Sequence, residues 1–223
     1  MRISHKYKFI FLSKPRCAST AVRAILDPYS DVFSSHAPPF HHHVTAFELK
    51  THFDKIGWQW KDYFIFTTVR NPWEMIVSYF TYFKPDVNGL YNFEKERDGF
   101  LYQPDKLASI NDWIPNAKTY HRLSFFNGEL IVNKWVDGFS KLTLSNTIHG
   151  VEGQSLVNRV LKVEELDNEL YATLNDLGIK IAQRQDHINK TVHTHYRNYF
   201  NDQTKKMIEV QFISDINYGK YKF

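Results

Sequence analysis

The chain has 223 residues, of which 43% are hydrophobic and 16% aromatic, enough to bury the core of one α/β domain. Lys and Arg number 28 against 24 Asp and Glu, and the resulting net charge of +4 favours an anionic ligand. No run of basic residues occurs, so nucleic acid is not an expected partner.

The cysteine content and the lengths of the apolar runs indicate in which cellular compartment the protein is expected. Cys17 is the single cysteine, so no disulfide can form within the chain and a reducing compartment is expected. The apolar runs are far shorter than the ~20 residues of a membrane helix. Lys6 and Lys8 interrupt the segment in which a signal peptide would need an unbroken apolar stretch. These features predict a soluble, cytoplasmic protein with no membrane partner.

The first predicted strand, residues 8–12, leads into a helix through the turn SKPRCAST. This turn is rich in cationic and hydroxyl side chains, at Lys14, Arg16, Ser19 and Thr20. A helix N-terminus offers unpaired N–H groups and the positive end of the helix dipole, so phosphate or sulfate is the predicted ligand. The pattern G-x-x-x-x-G-K-[ST] is absent, so an ATP or GTP site is not the first interpretation. A solvated loop whose hydroxyl caps the helix is the alternative.

Three consecutive histidines open the segment HHHVTAFE, directly before a predicted helix over 45–53 that Thr45 can cap. His41 and His43 could face one metal ion, but no nearby cysteine completes a zinc ligand set. A neutral imidazole can take a proton from a hydroxyl near pH 7, so each of the two is a candidate general base. A surface histidine cluster without a catalytic role is the alternative.

The second predicted strand ends at the sequence VRNPWE. Asn71 is a good N-cap and Pro72 fits the first position of the helix that follows. Arg70 at the strand end and Ser78 on this helix form a second candidate anion site, because a guanidinium and a hydroxyl can clamp an anionic group. A surface arginine and a solvent-facing serine are the alternative. Two anion sites together favour a nucleotide with well-separated phosphates.

Strands alternate with helices along the chain, which predicts a mainly parallel sheet covered by helices on both faces. Strands are expected at residues 8–12, 63–69 and 157–163, and further helices at 72–83, 105–113, 164–177 and 202–212. Ligands of such sheets bind at the carboxyl ends of the strands, where both candidate anion sites fall. No internal repeat or linker is recognisable, so we predict a single domain over residues 1–223.

Several segments resemble motifs of the sulfotransferases that use 3′-phosphoadenosine 5′-phosphosulfate (PAPS). FLSKPRCASTAVRAIL resembles their 5′-phosphosulfate loop, and FTTVRNPWEMIVSYF is similar to their 3′-phosphate motif, in which a serine follows the arginine by eight positions, as Ser78 follows Arg70 here. HHHVTAFE resembles a segment of the Golgi-type and bacterial carbohydrate sulfotransferases, and the comparable histidines of heparan 2-O-sulfotransferases include the catalytic base. VLKVEEL, INKTVHTHYRNYF and DINYGKYKF resemble later parts of the family, in the same order.

The resemblance implies a three-layer α/β fold like that of P-loop NTPases. It implies transfer of a sulfuryl group from PAPS to a hydroxyl of a carbohydrate or other acceptor, with PAP as product and no metal. His43 would be the base, with His41 as its neighbour or substitute, and Arg16 with Lys14 would stabilise the leaving group. The implied donor contacts are Lys14, Arg16, Cys17, Ala18, Ser19, Thr20, Ala21, Arg70, Ser78, Asn189, Lys190 and Thr191.

The loop departs from the family pattern at one important position. Arg16 stands where the family has its catalytic lysine, and no glycine is present in the loop. Arginine keeps its proton and binds as a planar fork, so the two residues are not interchangeable. Two other classes remain as alternatives: a nucleotide or small-molecule kinase, which would need Mg²⁺, and a non-catalytic nucleotide- or glycan-binding protein.

Overall fold

The computed structural model describes residues 1–35, 39–83, 109–121, 134–181 and 194–223. Backbone contacts divide these residues into two compact units. The first unit contains residues 1–70 and 144–181, and the second contains residues 71–83, 109–121, 134–143 and 194–223. That the whole chain acts as one domain stays a prediction.

A five-stranded sheet lies at the centre of the first unit. The described strands are β1 (Arg2–Ser4), β2 (Phe9–Leu12), β3 (Val32–Phe33), β4 (Phe64–Val69), β5 (Lys118–His121), β6 (Lys134–Asp137) and β7 (Arg159–Lys162). The sheet has the order β3–β1–β2–β4–β7. β2, β4 and β7 run parallel, whereas β1 and β3 extend the sheet beside β2 in antiparallel pairs. Because Leu12 pairs with Thr67, the carboxyl ends of β2 and β4 lie side by side.

The described α-helices are α1 (Ser19–Leu26), α2 (Ala46–Ile56), α3 (Pro72–Phe83), α4 (Ile110–Trp113), α5 (Leu144–Ile148), α6 (Leu166–Asp176), α7 (Asp202–Gln211) and α8 (Ile213–Gly219). Short 3₁₀ helices occur at Asp27–Tyr29, Trp60–Asp62, Ile114–Asn116, Ser140–Leu142, Val163–Glu165 and Tyr196–Asn198. No helix within the described ranges is long and apolar enough to cross a membrane.

Helices cover both faces of the sheet because successive side chains of a strand point to opposite sides. On one face the strands pack against α2, through Ile10, Leu12, Ile65, Leu49 and Phe53. On the other face they pack against α1 and α6, through Phe9, Phe11, Phe66, Val22, Leu26, Leu170 and Leu174. This arrangement confirms the predicted three-layer α/β architecture with a central parallel group of strands.

The predicted elements are confirmed with small shifts at their ends. The strands begin one or two residues later than expected, at residues 9, 64 and 159. Asn71 caps α3, because its side-chain oxygen accepts hydrogen bonds from the backbone N–H groups of Trp73 at 3.1 Å and Glu74 at 3.4 Å. Of the helix predicted at 105–113, the structure describes Ile110–Trp113, and residues 105–108 lie outside the described ranges.

Four strands have no counterpart among the sequence predictions. β1 and β3 contain three and two residues, too few to show an alternating pattern. β5 and β6 form a separate antiparallel pair in the second unit, with Lys118 opposite Asp137.

Candidate active site

A loop of residues 13–18, here called the strand-end loop, joins the carboxyl end of β2 to α1. Its inner side is anchored by buried residues: Ser13, Lys14 and Cys17 are almost completely inaccessible to solvent. The Lys14 carbonyl oxygen accepts hydrogen bonds from the hydroxyl of Ser19 at 2.5 Å and the backbone N–H of Cys17 at 3.4 Å. The backbone of the loop is therefore held in a defined conformation.

Two residues of the strand-end loop have left-handed backbone conformations. Arg16 and Ala18 both have φ of 56°. In this region the steric strain of a residue with a Cβ atom costs about 1–2 kcal/mol of free energy, a cost that glycine does not have. Ala18 is left-handed and Ser19 begins a right-handed helix, and a change of hand of this kind can turn successive N–H groups toward one side of the backbone, as in known anion-binding turns. The strain lies at the start of α1, where the sequence predicts an anion site.

Replacing Ala18 with glycine is expected to stabilise the protein by about 0.5–1 kcal/mol. Glycine removes the steric strain at φ 56°, and this gain exceeds the loss from the greater freedom of glycine in the unfolded chain. Urea unfolding at equilibrium measures the difference.

Ala24→Gly in the middle of α1 is the matched control. At a helical position the same change should lower the free energy of unfolding by about 0.5–1 kcal/mol. Equal destabilisation by both substitutions would contradict a strained Ala18.

The end of β4 is hydrogen-bonded to the end of β2 and to the strand-end loop. Thr67 donates its hydroxyl to the Leu12 carbonyl at 2.7 Å, and Thr68 donates to the Cys17 carbonyl at 2.6 Å. Arg70 then donates from Nη1 to the Arg16 carbonyl at 3.3 Å. The structure thus brings together two sequence motifs that are far apart in the chain, at the sheet edge where both were predicted to lie.

His43 reaches the strand-end loop from the segment before α2. Its Nδ1 lies 2.7 Å from the carbonyl oxygen of Ser13. A carbonyl oxygen only accepts, so Nδ1 carries the proton and the neutral ring keeps its lone pair on Nε2. Loss of solvation is the main cause that holds the pKa of His43 below its usual value. The residue nevertheless keeps an exposed surface, and even a fully solvated imidazole is mostly neutral at pH 7. His43 therefore has the protonation state of a general base.

His41 has a different environment, at the start of α2. It is buried, and its Nε2 lies 3.8 Å from Glu48 Oε2. Glu48 also forms a capping box with Thr45. The backbone N–H of Thr45 donates to the Glu48 carboxylate at 2.8 Å, and the backbone N–H of Glu48 donates to the Thr45 hydroxyl at 3.2 Å. Although burial raises the pKa of Glu48, its contacts with His41 and Thr45 outweigh this effect and lower the pKa to about 2. His41 thus faces a carboxylate that belongs to the helix cap.

Arg23 is a contact of the strand-end loop that the sequence analysis did not identify. Its guanidinium donates from Nη1 to Ser13 Oγ at 3.4 Å and from Nη2 to Thr20 Oγ1 at 3.3 Å. The signal in the sequence was the spacing, because residues three apart on a helix lie on the same face and Arg23 follows Thr20 by three.

The remaining predicted site residues differ in how far they are exposed to solvent. Lys14 and Ser78 are 0% and 1% exposed, and Lys14 Nζ lies 3.6 Å from Cys17 Sγ. Arg16, Ala18, Ala21 and Arg70 are half-buried, and Thr20 is exposed. Ser78 belongs to the second unit, whereas the strand-end loop and Arg70 belong to the first. Asn189, Lys190 and Thr191 lie outside the described residues.

Among the residues that the structure describes, no three His, Cys, Asp or Glu side chains come together as metal ligands. A reaction that needs no metal stays a prediction.

Comparisons with known proteins add one structural similarity. The sequence matches no family model and no curated protein. The structure is similar to the crystal structure of mouse sulfotransferase SULT7A1 complexed with PAP, with 13% sequence identity and a TM-score of 0.46 over 96% of this chain and 86% of that chain.

Proposed function

We propose that this protein is a PAPS-dependent sulfotransferase that transfers a sulfuryl group to a hydroxyl of a carbohydrate acceptor. The observation that carries the proposal is the hydrogen bond from Arg70 to the Arg16 carbonyl, because it joins the two motifs that resemble the 5′- and 3′-phosphate motifs of that family. The proposal of a carbohydrate acceptor rests on the resemblance of the segment HHHVTAFE to carbohydrate sulfotransferases.

The residues at this sheet edge suit a donor with two anionic ends. Arg16 and Arg70 both keep part of their surface accessible, and the first turn of α1 has no side-chain cap on its N–H groups. We assign the 5′-phosphosulfate to the strand-end loop with Ser19, Thr20 and Ala21, and the 3′-phosphate to Arg70. Ser78 stays the further 3′-phosphate contact that the resemblance implies. Backbone N–H groups at a helix start and arginine forks are the usual protein ligands of such groups.

In the proposed reaction His43 acts as the general base. Nε2 takes the proton of the acceptor hydroxyl, the acceptor oxygen forms a bond to sulfur, and the bond between sulfur and the 5′-phosphate oxygen breaks with its electron pair on that oxygen. Arg16 and the loop N–H groups stabilise the negative charge that builds there, as preorganised donors do in other transfer reactions. We propose no metal, because protein cations can supply this stabilisation.

The structure bears on the roles proposed for Lys14 and His41. Lys14 is fully buried next to Cys17, so we assign the stabilisation of the leaving group first to Arg16. Lys14 would contribute to it only as a secondary cation. His41 is directed to Glu48, so we choose His43 over His41 as the base.

Thermal unfolding with PAP, ATP and GTP, each with and without Mg²⁺, tests the proposal. PAP at about 100 times its dissociation constant should stabilise the protein by about 2.7 kcal/mol, which for a chain of this size raises Tm by roughly 5–10 °C. The shift should not require Mg²⁺. A larger shift with ATP or GTP and Mg²⁺ would instead indicate a kinase, and no shift with any nucleotide would contradict the proposal.

A further inference from the structure

The guanidinium of Arg23 connects the first residue of the strand-end loop to the first turn of α1. Ser13 is the first residue after β2, and Thr20 lies in the first turn of α1. Arg23 donates to the hydroxyls of both, at 3.4 and 3.3 Å. A planar guanidinium with several donors can hold two acceptors at once in a fixed geometry, which an ammonium group cannot do.

Ser13 also contacts His43. Its hydroxyl accepts the hydrogen bond from Arg23, and its carbonyl oxygen accepts the one from His43 Nδ1 at 2.7 Å. Ser13 is only 1% exposed, so water does not compete strongly for either group. A shift of Ser13 would therefore change the orientation of the His43 ring.

We propose that Arg23 is a positioning residue that fixes Ser13 and, through the Ser13 carbonyl, the orientation and tautomer of His43. This inference rests on the proposed role of His43 as the base. Arg23 itself need not touch the donor or the acceptor.

The charge of Arg23 acts on His43 separately from its hydrogen bonds. Loss of solvation is the main cause of the lowered pKa of His43, and the positive charges of the Met1 amino group, Arg23 and His42 lower it further. The hydrogen bond to Ser13 opposes this shift. Removing the charge of Arg23 should therefore raise the pKa of His43, and releasing Ser13 should allow the ring to leave its Nδ1–H tautomer.

Nuclear magnetic resonance of the histidine rings tests this in the full chain without ligand. Spectra of H43Q identify the His43 signals, and the ring nitrogen shifts report its tautomer. In R23M we expect the His43 titration midpoint to move upward and the Nδ1–H tautomer to lose its dominance. R23K should keep the titration midpoint of His43 closer to the wild-type value, because lysine retains the positive charge. Both His43 tautomers should still be populated in R23K, because lysine lacks the planar guanidinium that holds two acceptors.

R159M is the matched control. Arg159 also joins a strand to a helix, with hydrogen bonds to Thr173 at 3.0 Å and Asp176 at 2.9 Å, but it does not contact Ser13 or His43. It should leave the His43 signals unchanged.

In assays of PAPS turnover, R23M should lower kcat roughly tenfold, with an upward shift of the acidic limb of kcat/KM.

Wild-type His43 titration and tautomer signals in R23M would overturn the proposal. If R23M does not fold, S13A tests the same link, because it removes only the hydroxyl that Arg23 contacts, and unchanged His43 signals there would overturn the proposal equally. These spectra do not depend on PAPS. A failure of PAP to bind would therefore reject the sulfotransferase function while leaving the link between Arg23 and His43 to be judged by the spectra.

Discussion

Replacing His43 with glutamine is expected to lower the rate of sulfuryl transfer by about 10²–10⁴-fold, the usual contribution of a general base. Glutamine is polar and of similar size, and position 43 is exposed, so the fold should persist, but the amide cannot accept a proton at neutral pH. Transfer from radiolabelled PAPS to a panel of polysaccharides, with a tyrosine peptide as the competing acceptor class, measures the loss. Calorimetry should show that H43Q binds PAP as the wild type does.

Two further histidines make this experiment specific. His52 lies on α2 with its ring against Phe40, away from the strand-end loop contacts, and H52Q should transfer at the wild-type rate. H41Q separates the two candidate bases, since His41 Nε2 faces Glu48. Loss of transfer in H41Q together with normal transfer in H43Q would reverse the assignment.

Replacing Arg70 with methionine is expected to weaken PAP binding by about 1.5–3 kcal/mol, because a hydrogen bond to a charged phosphate is lost. This corresponds to roughly 10–150-fold in Kd. Methionine keeps most of the length and apolar surface of the side chain, so the change is confined to the guanidinium. Isothermal titration calorimetry with PAP gives the affinity directly.

R70K and R159M complete the Arg70 series. Lysine retains the charge without the planar fork, so R70K should bind PAP with an affinity between those of wild type and R70M. R159M removes an arginine that pairs with Asp176 and should bind PAP normally. An unchanged Kd in R70M would exclude Arg70 as a ligand of the 3′-phosphate.

Sequence periodicity and capping residues predicted the strands and helices that carry the residues of the candidate site. The buried runs ending at Leu12 and Val69 formed adjacent parallel strands, and Asn71 capped α3 as its position indicated. β1 and β3 escaped prediction because strands of two or three residues are stabilised by their neighbours and carry no pattern of their own.

The chemistry of the site was harder to predict than its location. The charge of Lys14 suggested that its side chain would be accessible to an anion, yet the side chain is fully buried. Burial in an irregular loop depends on contacts that no sequence periodicity encodes. The roles of Ser13 and Arg23 depend on hydrogen bonds between a strand end, a helix and the segment before α2. The choice between His41 and His43 likewise required the positions of Glu48 and the Ser13 carbonyl.

If the two anion sites are assigned as proposed, the hydrogen bonds from the end of β4 to the strand-end loop restrict which nucleotides fit. Neighbouring strands are ~4.8 Å apart, and because Arg70 directly follows β4, the pairing of β4 with β2 fixes the distance between its backbone and the start of the strand-end loop. On the proposed assignment, the protein discriminates by the separation between charged groups on the two sides of a ribose. A nucleotide with all its phosphates at the 5′ position, such as ADP, would occupy one half of the site and leave the other empty.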